Sequence, residues 1–463
     1  MDSNLRGRQT SSKKGCRRAM NSPTPPSPSR SAPIPAPRAE KPGRPPEPRV
    51  EQLIAEATAL FQDAGYRNVS VEEIGAAVGL TGPAVYRYFP SKQDILAKAL
   101  ATQVEGVRAL LTQAEERSES PAEQLGVFFD LLATRAAHGD VSTLWTRERR
   151  HLDRSDLDDM DAHHRTLIDA LASKFDTTEA GIDTQTAKLL ATAAVSVFSS
   201  TAAMRGSLTP RRLMQIQRAV VDSILSCPLP RGAQSRARFA DGSSRRPAAR
   251  RDRILAAATR MFFARGFPNV RIHEIAAEAD VSPATVYQEY AGKTDILMTI
   301  MRRGLENLHW ISVDALAESS AVEALDVLVG VFLDYSLGPN GRVLVIALQD
   351  IVYLPEADQV SLRRTASDYT AEWTAAILAR SPTLAHADAN ALTQALAGFV
   401  YQVISSPELR SRPGIEGEFR ALASAILSPV ELCGGPGTQG LSPRRLADIP
   451  RSQVVRASRP YSK

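Results

Sequence analysis

Apolar residues recur at three- and four-residue spacing along most of the chain. Leu53, Ile54, Ala57, Leu60 and Phe61 form one such stripe, closed by Gly65, and Ile254, Leu255, Ala258, Met261 and Phe262 form another, closed by Gly266. That spacing puts each set on one face of a helix. Behind the first stripe, Ser70-Val-Glu-Glu73 reads as a capping box that opens a short helix ending at Val78. Gly79 then supplies a sharp turn. Thr81 caps a third helix that turns Val85 and Phe89 inward, and a fourth begins near Ser91 and Lys92. Longer amphipathic runs follow at 126–137, 143–152, 161–175, 185–205 and 211–226, and again at 322–336, 343–354, 362–379, 389–405 and 416–427. Proline and β-branched residues are too sparse in these runs for a sheet, so the expected fold is all-α.

Three punctuated stretches divide the pattern. Residues 1–48 hold eleven of the 30 prolines, 229–249 contain Pro-Arg-Gly and Asp-Gly-Ser-Ser, and a Gly-Gly-Pro-Gly run follows Cys433. Pro fixes φ and removes donors, so the first stretch is expected to be an extended, disordered tail. Sliding the chain on itself by 201 positions aligns 49–96 with 250–297 without a gap and with 17 identities in 48, among them Phe61/Phe262, Asn68/Asn269, Tyr86/Tyr287 and Lys92/Lys293. So long a period means two whole units in tandem rather than a solenoid. The expected organisation is a basic tail at 1–48, a first head at 49–96, a first helical body at 97–228, a linker at 229–249, a second head at 250–297, a second body at 298–430 and a tail at 431–463.

Charge adds a contrast that the hydrophobic pattern lacks. The net charge is only +5, yet 1–48 carry +7, 229–249 carry +4 and 431–463 carry +4, leaving −10 on the rest. Two acidic bodies are thus joined and flanked by basic threads able to attract nucleic acid non-specifically. The 47 Arg against nine Lys suggest a GC-rich, bacterial coding bias. Cys16, Cys227 and Cys433 are widely separated, which fits a reducing cytoplasm and no disulfide framework. The run 189–204 is interrupted by Thr192, Ser196, Ser199, Ser200 and Thr201, and no secretory apolar region follows the N-terminus, so neither a membrane span nor export is expected.

Two short helices joined by a tight turn, the second capped by Thr or Ser, match the geometry that places a helix in the DNA major groove. Ile74-Gly-Ala-Ala-Val-Gly-Leu-Thr-Gly-Pro-Ala-Val-Tyr-Arg-Tyr-Phe-Pro-Ser-Lys92 resembles the helix-turn-helix signature of TetR/AcrR transcriptional regulators. The second copy, Ile275 to Lys293, is similar but weaker. The resemblance covers about 48 residues of each unit. It implies that each unit joins an N-terminal helix-turn-helix DNA-binding domain to a C-terminal helical ligand-binding and dimerisation domain. Ser70, Thr81, Gly82, Ala84, Tyr86, Arg87, Tyr88 and Lys92 would then contact DNA, with Ser282, Ala284, Thr285, Tyr287, Gln288 and Lys293 as their counterparts.

The second copy departs at charged positions. Gln288 stands for Arg87, Glu289 for Tyr88 and Asp280 for Gly79, so 282–293 are neutral where 81–92 carry +2. A carboxylate near phosphate opposes binding, which makes the first unit the expected principal reader. The resemblance further implies that the last two helices of each unit pair as a four-helix interface, within one chain or between two.

The bodies yield a candidate apolar or amphipathic ligand pocket in Phe128, Phe129, Trp145, Arg149 and Phe198, with Tyr335, Tyr353, Trp373 and Tyr401 in the second unit. A polar cluster, His151, Asp153, Asp156, Asp159, Asp161, His163 and His164, reads as a charged face rather than a metal site, because adjacent His163 and His164 cannot point one way from a helix. No nucleophile elbow, zinc-protease signature, phosphate loop or dinucleotide fingerprint is present. The expectation is a cytoplasmic, cofactor-free, non-enzymatic regulator that binds an operator and is released by a small molecule. The alternative is a ligand- or partner-binding protein with degenerate heads.

Overall fold

The computed structural model describes residues 47–139, 148–175, 182–230 and 246–429, with Leu144 and Leu432 besides. The expected N-terminal tail, most of the linker and the C-terminal tail lie outside the described residues, as does Trp145. Every regular element among the described residues is helical.

In the first unit, α1 (Glu47–Ala64), α2 (Val71–Ala77), α3 (Gly82–Val85) and the start of α4 (Lys92–Arg117) form the head. Its core is the stripe read from the sequence: Leu53, Ala57, Phe61, Ile74, Val85, Phe89 and Leu96 are buried together. The body follows as α5 (Pro121–Ala137), α6 (Arg154–Ala172), α7 (Thr184–Ser196), α8 (Thr201–Arg205) and α9 (Pro210–Leu225), with a 3-10 turn, Val197–Ser200, between α7 and α8. The second unit repeats the plan with α10 (Arg250–Arg265), α11 (Ile272–Ala279), α12 (Pro283–Glu289), α13 (Lys293–Ala317), α14 (Ala324–Leu337), α15 (Gly341–Asp350), α16 (Glu356–Arg380), α17 (His386–Ser405), α18 (Pro407–Arg410) and α19 (Ile415–Leu427). A 26-residue α4 and a 25-residue α13 run through the expected head boundaries into the bodies, packing on α1 and α5 and on α10 and α14 respectively. Each is a rigid rod between head and body.

The two bodies share one apolar core. Helices α7 and α9 pack on α17, and α9 also packs on α19, which is the four-helix pairing expected of the final helices, made here within one chain. Close approach depends on Gly398, because a Cβ there would lie 2.6 Å from the Ser196 carbonyl oxygen and 2.7 Å from Ser199 Oγ. At the edge of this seam Arg212 donates to both carboxylate oxygens of Asp388, at 3.0 and 2.6 Å. Residues 184–205 are long and apolar enough to cross a bilayer by composition, but 61% of their most apolar window is buried inside the protein. They pack against α17.

Candidate nucleic-acid interface

The short helices of the first head are placed by local chemistry. Ser70 Oγ accepts from the Glu73 N–H at 3.1 Å while the Glu73 carboxylate accepts from the Ser70 N–H at 2.6 Å, closing the expected capping box. These bonds hold the Glu73 carboxyl below its ordinary range. Gly79 turns the chain at φ +70°. In the second head Asp280 performs the same turn at φ +52°, the one non-glycine with positive φ among the described residues. Asp tolerates that region better than most side chains.

On α3 and the turn after it, Thr81, Tyr86 and Arg87 face solvent, and Tyr86 is 52% exposed. Thr81 occupies the N-cap position but its hydroxyl makes no capping bond, which leaves that oxygen for an outside partner. In the second head Ser282 does cap its helix, accepting from the Thr285 N–H at 3.1 Å. Ser282, Ala284, Tyr287 and Gln288 are exposed there, whereas Thr285 and Glu289 are half-buried.

Several expected contacts are placed elsewhere. Gly82 is buried beneath the Glu72 side chain, so it cannot present itself to a base. Ala84 is half-buried, and Tyr88 packs against the head core. Lys92 turns inward: its ammonium donates to the carbonyls of Tyr66 at 2.8 Å and Val69 at 2.7 Å and lies 4.4 Å from the centre of the Tyr66 ring. Lys293 repeats this with Phe267 and Val270, at 2.9 Å each. Burial lowers the pKa of both lysines. Each one therefore staples the turn after the first helix of its head to the start of the long rod.

The two heads also meet, at a junction with no forecast in the sequence. Glu148 and Asp350, both fully buried, precede equivalent 3-10 turns, Arg149–His151 and Ile351–Tyr353. Arg150 crosses between the units to pair with Asp350 and donates to Gln349 Oε1 at 2.9 Å. The Asp350 carboxylate also accepts from the Phe267 N–H at 3.3 Å. Burial pushes Asp350 upward, against the pull of Arg150. Arg67 of the first head donates to Asn269 of the second at 2.5 Å. His151, stacked on Tyr66, is driven down to about 3 by burial and by the charges of Arg150, Arg67 and Lys92. A shift of 202 residues relates Glu148 to Asp350, one more than the 201 relating the heads, and this offset is the signal that could have exposed the junction.

The pocket candidates are dispersed. Inside the first body Phe128 meets Phe129 edge-on and Phe129 stacks on Phe198. Arg149 instead forms an ion pair with Asp161 at 2.8 Å on the side of α6. Tyr353 belongs to the head junction, its ring 6.0 Å from that of Phe267, and not to the aromatic cluster around Trp373. Tyr401 is buried in α17, where its hydroxyl accepts from Gln349 at 2.7 Å. Tyr335 and Trp373 are both buried in the second body, where Trp373 packs with Phe332 and Tyr369 and the Tyr335 hydroxyl donates to the Gly304 carbonyl at 2.8 Å. Within the polar cluster, Asp153 caps α6 by accepting from the Asp156 N–H at 2.9 Å, and His163 bonds the Asp159 carbonyl at 2.8 Å.

The family model described as bacterial regulatory proteins of the tetR family matches residues 53–99 and again 254–300. The chain is 29% identical over 128 residues to the HTH-type transcriptional regulator EthR of Mycobacterium tuberculosis, covering 24% of this chain and 59% of that protein. It is 28% identical over 92 residues to the HTH-type transcriptional activator FasR of Mycolicibacterium smegmatis, covering 19% and 42%. The match thus spans less than two thirds of the length of either relative. Among solved structures, a TetR-family regulator from Bordetella parapertussis 12822 aligns at 20% identity and a TM-score of 0.36, covering 42% of this chain and 100% of that one.

Proposed function

From a chain that carries two TetR-family helix-turn-helix domains, we infer a DNA-binding transcriptional regulator whose first head is the principal reader of an operator. The observation that carries this reading is the exposure of Thr81, Tyr86 and Arg87 on α3 and its flanking turns, behind the box-capped α2 of a head held in fixed relation to its twin. Outward side chains on such an element reach base edges and phosphates, while the buried Val85 and Phe89 fix its orientation. Intrachain pairing supplies both heads without a second chain.

We further read the protein as a repressor released by a small apolar or amphipathic molecule bound in the second body. Tyr369 and Ser312 lie side by side beneath Phe332 and Trp373, and neither hydroxyl completes a hydrogen bond of good geometry within the protein. Burial lifts the Tyr369 phenol to about 12, against the pull of Ser312 and Trp373. Buried polar groups whose hydrogen bonds are poorly met, set among aromatic walls, suit a ligand with one polar group on an apolar frame. A genomic binding map of the full chain tests the reading: enrichment of discrete promoter sites, lost on Arg87→Ala, supports it. Uniform retention of the whole genome, or none, overturns it.

A further inference from the structure

The second head has lost charge from its reading helix, yet it is the more positive head. Residues 49–96 hold four Lys/Arg against six Asp/Glu, a net of −2, whereas 250–297 hold seven against six, a net of +1. The added charge has moved to the flanks of α12. At the start of α10, 250–253 carry three arginines and Asp252, where 49–52 carry one arginine and Glu51. Before α11, Arg271 replaces Ser70, and within its first turn His273 replaces Glu72.

Four of the six carboxylates of this head are engaged by arginines, Asp295 accepts from the Ala291 N–H at 2.9 Å, and Glu289 is half-buried on α12. Asp252 pairs with Arg303, Glu274 with Arg265, Glu278 with Arg260 and Asp280 with Arg246. Among the described residues no carboxylate lies within ion-pair distance of Arg250, Arg251 or Arg271, and all three side chains are exposed. They bracket α12. Arg271 lines an open cleft of about 430 Å³ with His273, Tyr287 and Lys293. At the other end Arg251 donates to the Glu289 carbonyl at 3.4 Å and stands 4.7 Å from the centre of the Tyr290 ring.

We propose that the second head is a sequence-independent phosphate anchor, in which Arg250, Arg251 and Arg271 grip the DNA backbone on either side of a helix that no longer reads bases. This rests on the DNA-binding reading above. Guanidinium groups suit phosphate oxygens, and backbone contacts set register without carrying sequence information. Arg67 and Arg150 fix this head against the first, so the anchor places the reading head on one neighbouring half-site. The operator is then asymmetric, one specified half beside one arbitrary half.

The test uses the full chain in two measurements. Selection from a random duplex pool should yield one constrained half-site; a palindrome constrained equally in both halves overturns the proposal. Salt titrations of the wild type and of Arg250→Ala/Arg271→Ala, on the selected duplex and on a scrambled one, should show a loss of roughly tenfold on both, with the salt slope reduced by about 2. Loss on the selected duplex alone would mean that the second head reads bases, and unchanged binding would mean that it touches no DNA. Both positions are exposed, so an unchanged helical spectrum is the folding control. Failure of the wild type to retain any duplex would instead overturn the DNA-binding reading itself, together with the anchor.

Discussion

His151 and Tyr353 occupy equivalent places in the two units and meet where the heads join, Nε2 to hydroxyl at 3.3 Å. Each stacks on the aromatic residue that follows the first helix of its own head, His151 on Tyr66 and Tyr353 on Phe267. The contact therefore marks a pseudo-twofold axis running through one polypeptide. Duplication has kept the geometry while the chemistry diverged, a histidine on one side and a phenol on the other.

That divergence has a pH signature. The folded His151 value of about 3 lies below the ordinary 6.5, so the unfolded chain binds more protons between the two. The contribution is fully present above about pH 6.5 and declines as pH falls toward 3, by at most about 1.4 kcal/mol per unit. Glu148, 3.4 Å away, favours the protonated ring, while Arg67, Arg150 and Lys92 oppose it. His151→Phe keeps the stack on Tyr66 and removes the titration. Denaturation of both proteins at several pH values should show the wild-type advantage shrinking with acid; a pH-independent difference would reject the assignment.

Arg150 and Asp350 form the polar centre of the same junction. Removing Arg150 leaves a fully buried carboxylate without its cation, which costs about 3–5 kcal/mol. The double replacement Arg150→Met/Asp350→Leu removes both charges and should recover most of that loss. Urea unfolding of the two singles and the double closes the cycle. A double variant as unstable as the sum of the singles would show that the two residues do not act as a pair.

What the sequence disclosed about these parts follows how local their causes are. The Ser70 and Glu73 pair and the Gly79 turn are local, and Val85 and Phe89 face a core drawn mainly from 53–100 of the same head, so the pattern outlines the helix-turn-helix. A lysine beside a helix-turn-helix resembles a phosphate contact, and only the fold shows the Tyr66 and Val69 carbonyls to which Lys92 donates. Arg150 and Asp350 stand 200 residues apart, and neither bears a local mark of its partner.

Intrachain pairing predicts a particle of one chain. Light scattering on the 50.1 kDa protein should report that mass at low concentration. Gly398→Leu, which forces a side chain into the carbonyl of Ser196, should destabilise the seam by about 1–3 kcal/mol or more. A stable two-chain particle that persists on dilution, with Gly398→Leu as stable as the wild type, would place the seam elsewhere.

The division between heads makes its sharpest prediction at Tyr88. Replacing Tyr88 by Glu copies the second head, where Glu289 is accommodated half-buried at the matching position, so the variant should fold. On the DNA-binding reading, a carboxylate on this edge of the first head repels phosphate. Operator affinity should therefore fall by about 1–3 kcal/mol. Because repulsion from phosphate is blind to sequence, a scrambled duplex should lose affinity by a similar factor. Arg87→Ala, at an exposed position on the reading surface, should instead narrow the gap between operator and scrambled DNA. Fluorescence anisotropy on both duplexes separates the two effects. Unchanged operator binding by Tyr88→Glu, with its helical spectrum intact, would mean that the first head does not lie against DNA along this edge.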